Sequence, residues 1–201
     1  MNELRKALHE TARQPFGDAA ARASTRLLRQ ADRESLVDVA YAVVDSPVGP
    51  LTAASTPRGL VRLAYPGDER VLEELSARIS PRVLEVPAKL DGIRRQLDQY
   101  FDGRLRRFRF ELDWALVGPF GRKILAATAR IPYGTVASYG EVAARTGNPR
   151  ASRAAGNALG ANPIPIVVPC HRVVRSGGAL GGYTGGLERK EFLLRLEGFL
   201  E

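Results

Sequence analysis

The chain has 201 residues, with 30 Lys and Arg against 22 Asp and Glu, for a net charge of +8 and a pI of about 10.1. That length fits one or two domains of ordinary size, and 44% hydrophobic with 26% charged residues is a folded rather than a disordered composition. One Cys excludes an intrachain disulfide, and one Cys with two His is too few for a Cys-rich zinc site, so no metal and no cofactor is expected. No apolar run reaches the ~18 residues that span a bilayer, and MNELRKALHE lacks the apolar stretch of a secretory signal, so a cytoplasmic protein with no membrane partner is expected.

Residues 1–35 read as a polar, Arg- and Ala-rich extension, helical or partly disordered. From residue 36 the pattern changes. VDVAYAVVDS, LTAAST and LVRLAY are short β-type runs separated by PVGP and by Pro57-Arg58-Gly59, which predicts antiparallel strands joined by turns. Val71, Leu72, Leu75 and Ile79 recur at helical spacing and predict a helix over 68–79, ended by Pro81. A VLEV strand and a helix over 88–101 follow. In RRFRFELD, Phe108 and Phe110 alternate with Arg107, Arg109 and Glu111, which predicts a strand with one buried face. The expected division is an α/β domain over 36–117 and a helical domain over 118–201, an α+β chain overall.

The charge is uneven: residues 1–118 carry a net of +2, and residues 119–201 a net of +6. A basic half suits an anionic partner such as nucleic acid or a membrane surface, and equally a merely solvated face. Pro119 suits a first helical position, in a helix over 119–130. After the IPYG turn, Ser138 stands three residues before Glu141, a capping-box pattern that opens a short helix over 139–146. Gly147-Asn148-Pro149 ends it, and RASRAAGNALG predicts a second short helix over 150–159. Two short helices joined by a tight Gly-containing turn read as a helix-turn-helix. The small side chains of the second are a packing face or a face slim enough to approach DNA closely.

The segment IPIVVPC carries the single thiol, Cys170, at the end of a Pro-stiffened apolar run, and His171 follows at once. A lone Cys is usually a small core residue, but a thiol beside an imidazole and a Gly-rich loop (SGGALGGYTGG) points to a nucleophile with its base. The imidazole needs an acceptor behind it; Glu188, Glu191 and Glu197 are the downstream candidates, and spacing does not choose among them.

The stretch from Ile131 to Gly198, with PCHRV at its centre, resembles the O6-alkylguanine-DNA alkyltransferases, the methylated-DNA–protein-cysteine methyltransferases. The resemblance implies a ribonuclease H-like N-terminal domain and a winged helix-turn-helix C-terminal domain. It implies that Cys170 accepts the alkyl group, that His171 is its base through a water, that Glu197 orients His171, and that Asn162 braces the recognition helix against the active-site loop. Arg153 would take the place of the extruded base, with Arg150, Ala151, Ser152 and Asn157 on the DNA face. Tyr139, the Val173 carbonyl, Tyr183 and Thr184 would surround the flipped nucleotide; Thr184 stands where the family often has Ser. The implied function is direct-reversal repair of O6-alkylguanine, and of O4-methylthymine, in double-stranded DNA, each molecule acting once, with self-association on DNA left open. The alternatives are a non-catalytic lesion-binding relative, which would lack the Cys, a helix-turn-helix transcriptional regulator, which leaves the Cys-His pair unexplained, and a thiol hydrolase.

Overall fold

Residues 36–68 and 70–200 are described by the computed structural model; the extension expected over 1–35 lies outside the described residues. The β-rich runs form β1 (Val39–Val44), β2 (Leu51–Thr56) and β3 (Gly59–Ala64), each antiparallel to the one before, as their turn residues predict. The chain then crosses the sheet through helix α1 (Val71–Arg78) and returns as β4 (Val83–Glu85), which pairs with β1 in parallel. The order β3-β2-β1-β4 is the ribonuclease H-like arrangement expected. Val71 and Leu75 on α1 join Val39, Ala54, Val61 and Leu116 in one apolar cluster. Each of the Val and Leu side chains stabilises the fold by about 1.5–3 kcal/mol when fully buried. The expected helix over 88–101 begins as a 3-10 turn, Pro87–Leu90, and becomes α-helical as α2 (Asp91–Phe101), burying Ile93, Leu97 and Tyr100 one turn apart.

The strand expected in RRFRFELD is not formed. Its backbone meets the sheet at a single parallel bridge, Leu60 with Leu112, closed by bonds from the Leu60 N–H to the Glu111 carbonyl (2.9 Å) and from the Asp113 N–H to the Leu60 carbonyl (2.8 Å). The alternation that suggested a strand serves an aromatic cluster instead. Phe108 lies 5.3 Å from Tyr100 and 5.5 Å from Phe110, centroid to centroid, and the Arg109 N–H goes to the Gln96 side chain. Gly59 makes the bridge possible. Its φ is +133°, and a Cβ there would overlap the Glu111 carbonyl.

Helix α3 (Pro119–Thr128) opens with Pro119 in its first turn, as predicted. Strand β5 (Ala137–Ser138) leads into α4 (Tyr139–Ala144), and the capping box is present: the Glu141 N–H donates to Ser138 Oγ (3.2 Å) and the Ser138 N–H to Glu141 Oε2 (2.6 Å). Helix α5 (Ser152–Gly160) starts two residues later than its sequence suggests. Arg150 and Ala151 lie in the turn before it, where the Ala151 N–H bonds to the Asn148 carbonyl. Helices α3, α4 and α5 pack on one another. A 3-10 turn, Cys170–Arg172, follows, then β6 (Val173–Val174), parallel to β5, and the loop 175–186 stands in the place of the wing. Helix α6 (Leu187–Leu196) closes the described chain. From Val39 onward the chain is one compact unit. No helix among the described residues is long and apolar enough to cross a membrane.

Candidate active site

Cys170 opens the 3-10 turn and is 6% exposed, while His171 beside it is fully buried. The loop before them is held from within. Asn162 Nδ2 donates to the Val168 carbonyl (2.9 Å) and to Cys170 Sγ (3.1 Å), and Asn162 Oδ1 accepts from the Ile164 N–H (3.0 Å). Ile166, on the same loop, has φ of +72°, a costly conformation for a β-branched residue that persists only where its surroundings impose it. The Leu63 N–H of β3 donates to the Pro163 carbonyl (2.8 Å), so the sheet also anchors this loop.

Behind His171 lies Glu197, the one of the three candidate carboxylates that reaches it. His171 Nε2 is 2.9 Å from Glu197 Oε1. The same carboxylate accepts from Arg172 Nε (2.7 Å) and Nη2 (2.8 Å) and from the Tyr100 hydroxyl (2.6 Å). Burial pushes the Glu197 carboxyl up, but the bonds from His171 and Arg172 and their charges outweigh it and hold the group at about 2. Glu197 is therefore ionised and can only accept, so the His171 proton sits on Nε2. Burial keeps the imidazole neutral by lowering its pKa below the usual value, against the pull of Glu197. The consequence is a lone pair on Nδ1, which is buried without a hydrogen-bond partner among the described residues.

Burial raises the Cys170 thiol to about 11, with Asn162 and Lys190 pulling it partly back. The resting sulfur is protonated, and a neutral imidazole beside it can take that proton directly or through a water. Lys190 is fully buried on α6; its ammonium donates to the Val173 carbonyl (2.6 Å) and to the Leu180 carbonyl, tying β6 to the Gly-rich loop. Burial lowers it to about 8.

Cys170 lines a cleft of about 300 Å³, the size of a small-ligand site. Its other walls are Tyr139 from α4, Gly156, Leu159 and Gly160 from α5, and Gly182, Tyr183 and Thr184 from the loop. Gly156 faces Tyr139; a Cβ there would lie 3.7 Å from the ring, an ordinary contact. The Thr184 hydroxyl donates to the Gly160 carbonyl (2.8 Å), which ties the loop to the end of α5. On the outer surface of the same helix Ser152, Arg153 and Asn157 are exposed, as is Arg150 before it. Val173 is buried and offers only its backbone.

The structure thus gathers Cys170, His171, Glu197 and Asn162 at one point and Tyr139, Tyr183 and Thr184 around the cleft, with Arg150 and Arg153 exposed around the start of α5. Sequence reasoning missed Tyr100, Arg172, Lys190 and Tyr65, whose hydroxyl meets that of Tyr183 at 2.6 Å. A signal for one of these, Lys190, was present. Lys190, Leu193, Leu194 and Glu197 share one helical stripe, and a Lys and a Glu on an apolar stripe indicate a buried polar network. Among the described residues no three His, Cys, Asp or Glu side chains cluster as a metal site would.

A helix-turn-helix beside a cleft lined by a buried cysteine, with a hydrogen-bonded imidazole–carboxylate pair starting at the next residue, on a ribonuclease-like sheet, defines a DNA-binding domain built around a cysteine. Residues 119–199 match the family model for the 6-O-methylguanine DNA methyltransferase DNA binding domain, and residues 39–114 match the model for its ribonuclease-like domain. The chain belongs to this methyltransferase family. The methylated-DNA–protein-cysteine methyltransferase of Methanosarcina acetivorans is 41% identical over 159 residues, covering 79% of this chain and 97% of that protein; the one from Mycobacterium bovis is 44% identical over 158 residues, covering 78% and 91%. Among solved structures, a Mycobacterium tuberculosis protein of this kind in complex with DNA is 40% identical with a TM-score of 0.69, covering 79% of this chain and 92% of that one. The O6-methylguanine-DNA methyltransferase of Pyrococcus kodakaraensis is 28% identical with a TM-score of 0.56, covering 80% and 99%.

Proposed function

We propose that this protein repairs O6-alkylguanine in double-stranded DNA, and O4-methylthymine, by moving the alkyl group to Cys170. The observation that carries the reading is Cys170 on the wall of a small-ligand cleft, with His171, the next residue, hydrogen-bonded to Glu197. The alkylated oxygen lies inside the duplex, so the base must be rotated out, at a cost of a few kcal/mol that is lowest for a damaged pair. Arg153, exposed near the start of α5, fills the gap and slows the return of the base. Arg150, Ser152 and Asn157 meet the backbone. Ala151 gives α5 no side-chain cap, so the first N–H groups of that helix are free to meet phosphate.

In the cleft Tyr139, Tyr183 and Thr184 bound the base, and the Val173 carbonyl accepts from its exocyclic amine with the lone pair that Lys190 leaves free. His171 Nδ1 takes the Cys170 proton through a water, and the Nε2 proton stays hydrogen-bonded to Glu197. The thiolate attacks the alkyl carbon. A carbon–sulfur bond forms, the carbon–O6 bond breaks, and guanine leaves with the electron pair and recovers a proton. The thioether has no easy reverse step, so one molecule repairs one lesion and no cofactor is required. Asn162 holds the sulfur against the loop meanwhile.

In this reading residues 1–35 are an extension, 36–117 the supporting domain and 118–201 the DNA-binding and acceptor domain, and the protein works in the cytoplasm. Self-association on DNA remains an alternative within the reading, with a Hill coefficient above 1 in a binding titration as its signature. The test is intact-mass analysis after mixing with O6-methylguanine duplex DNA. The wild type gains one methyl group at Cys170 and C170S gains none; an unmodified wild type refutes the proposal.

A further inference from the structure

Tyr183 stands on a glycine-rich loop. Gly181 (φ +68°), Gly182, Gly185 and Gly186 (φ +87°) surround it, and the ring forms one wall of the cleft, edge-on to His171 with centroids 6.4 Å apart. A wall on a glycine loop needs an outside support. Tyr65, just after β3 and 118 residues away in sequence, supplies it: the two hydroxyls lie 2.6 Å apart and the rings meet edge to face. Burial raises both phenols above their usual pKa, so both keep their protons and one donates to the other.

Tyr65 is itself held. The Arg189 guanidinium lies 5.0 Å above its ring centroid, and the same side chain donates to the Val48 carbonyl (2.9 Å) and to the Gly185 carbonyl (2.8 Å). Gly185 lets the two rings come together: a Cβ there would lie 2.5 Å from the Tyr65 ring and 2.9 Å from the Tyr183 ring. The loop is therefore fastened at three consecutive residues, Tyr183 to Tyr65, Thr184 to α5 and Gly185 to Arg189.

We propose that Tyr65 is a specificity-determining positioning residue: by fixing the Tyr183 ring it sets the size of the O6 substituent that the cleft admits. The inference rests on the alkyl-transfer reading. Tyr65 lines no part of the cleft and acts only through Tyr183. When the tether is cut, the Tyr183 ring swings about its own side-chain bonds, the wall recedes, and a bulky adduct gains over a small one.

The test compares transfer to Cys170 from duplex DNA carrying O6-methylguanine and from the same duplex carrying O6-benzylguanine, read by intact mass. In Y65F the benzyl-to-methyl rate ratio rises about fivefold, the factor that one neutral hydrogen bond is worth. In R189M, which keeps the Tyr65 hydroxyl but frees its ring, the ratio rises by less. Incorporated 3-fluorotyrosine, with Tyr183 assigned through Y183F, shows the Tyr183 resonance shifted and narrowed in Y65F. A contact that served stability alone would slow both adducts equally, so an unchanged or lower ratio overturns the role of Tyr65 while the alkyl-transfer reading stands. A wild type that leaves Cys170 unmodified by either duplex overturns both.

Discussion

Replacing Glu197 by Gln keeps the shape of the side chain and removes its charge, which makes it a sharp probe of the relay. In the native fold the carboxyl lies at about 2 rather than 4.5. At about 1.4 kcal/mol for each tenfold in protonation, that corresponds to about 3 kcal/mol of stability. Because the folded value is the lower one, this contribution is fully present above about pH 4.5 and is lost as the pH falls toward 2. At neutral pH the variant also leaves Arg172, 6% exposed, without its counter-charge, and breaking a buried pair costs about 3–5 kcal/mol. For a chain of this length that lowers Tm by about 10 °C. Chemical denaturation of both proteins between pH 7 and pH 2 should show a gap of about 3 kcal/mol or more at pH 7 that narrows by about 3 kcal/mol in acid. Transfer should be slowed as well, because an amide can turn either its oxygen or its NH₂ toward His171 and no longer fixes the tautomer. A pH-independent gap, or a gap below about 1 kcal/mol at pH 7, would refute the assignment of Glu197 as an ionised hub of this hydrogen-bond network.

Arg153→Ala should weaken repair of duplex DNA far more than reaction with the free modified base, since only the duplex needs its stack refilled; equal losses would count against that role. Duplex affinity should fall as salt rises, and this is measurable in the same titrations. Gly59→Ala should cost at least about 2 kcal/mol in denaturant unfolding, because it meets a positive φ and an overlap with the Glu111 carbonyl together; a loss under about 0.5 kcal/mol would show that the bridge to Leu112 yields easily.

The features legible in the sequence were the local ones. The Ser138–Glu141 box spans four residues and its partners are fixed by helix geometry, so it reads directly. The turns at Pro47–Pro50 and Pro57–Gly59 separate strands for the same reason. The aromatic alternation in RRFRFELD was visible too, but alternation reports only which side chains share a face; whether a neighbouring strand exists to receive the backbone depends on β3, which meets the segment at Leu60 alone. The site divides in the same way. Cys170 and His171 are adjacent and stood out, whereas Glu197 was one of three equal candidates until the family resemblance chose it. Tyr100 and Tyr65 reach the site across 97 and 118 residues, and no periodicity within either helix or strand encodes such a meeting.

A thiol held near 11 by burial exists as thiolate in only about one molecule in ten thousand at neutral pH. Oxidants and stray electrophiles react with the thiolate, so the same apolar enclosure that makes Cys170 need a base also gives the idle protein a long shelf life. For a reagent with a single use, slow ageing between encounters matters as much as speed during one.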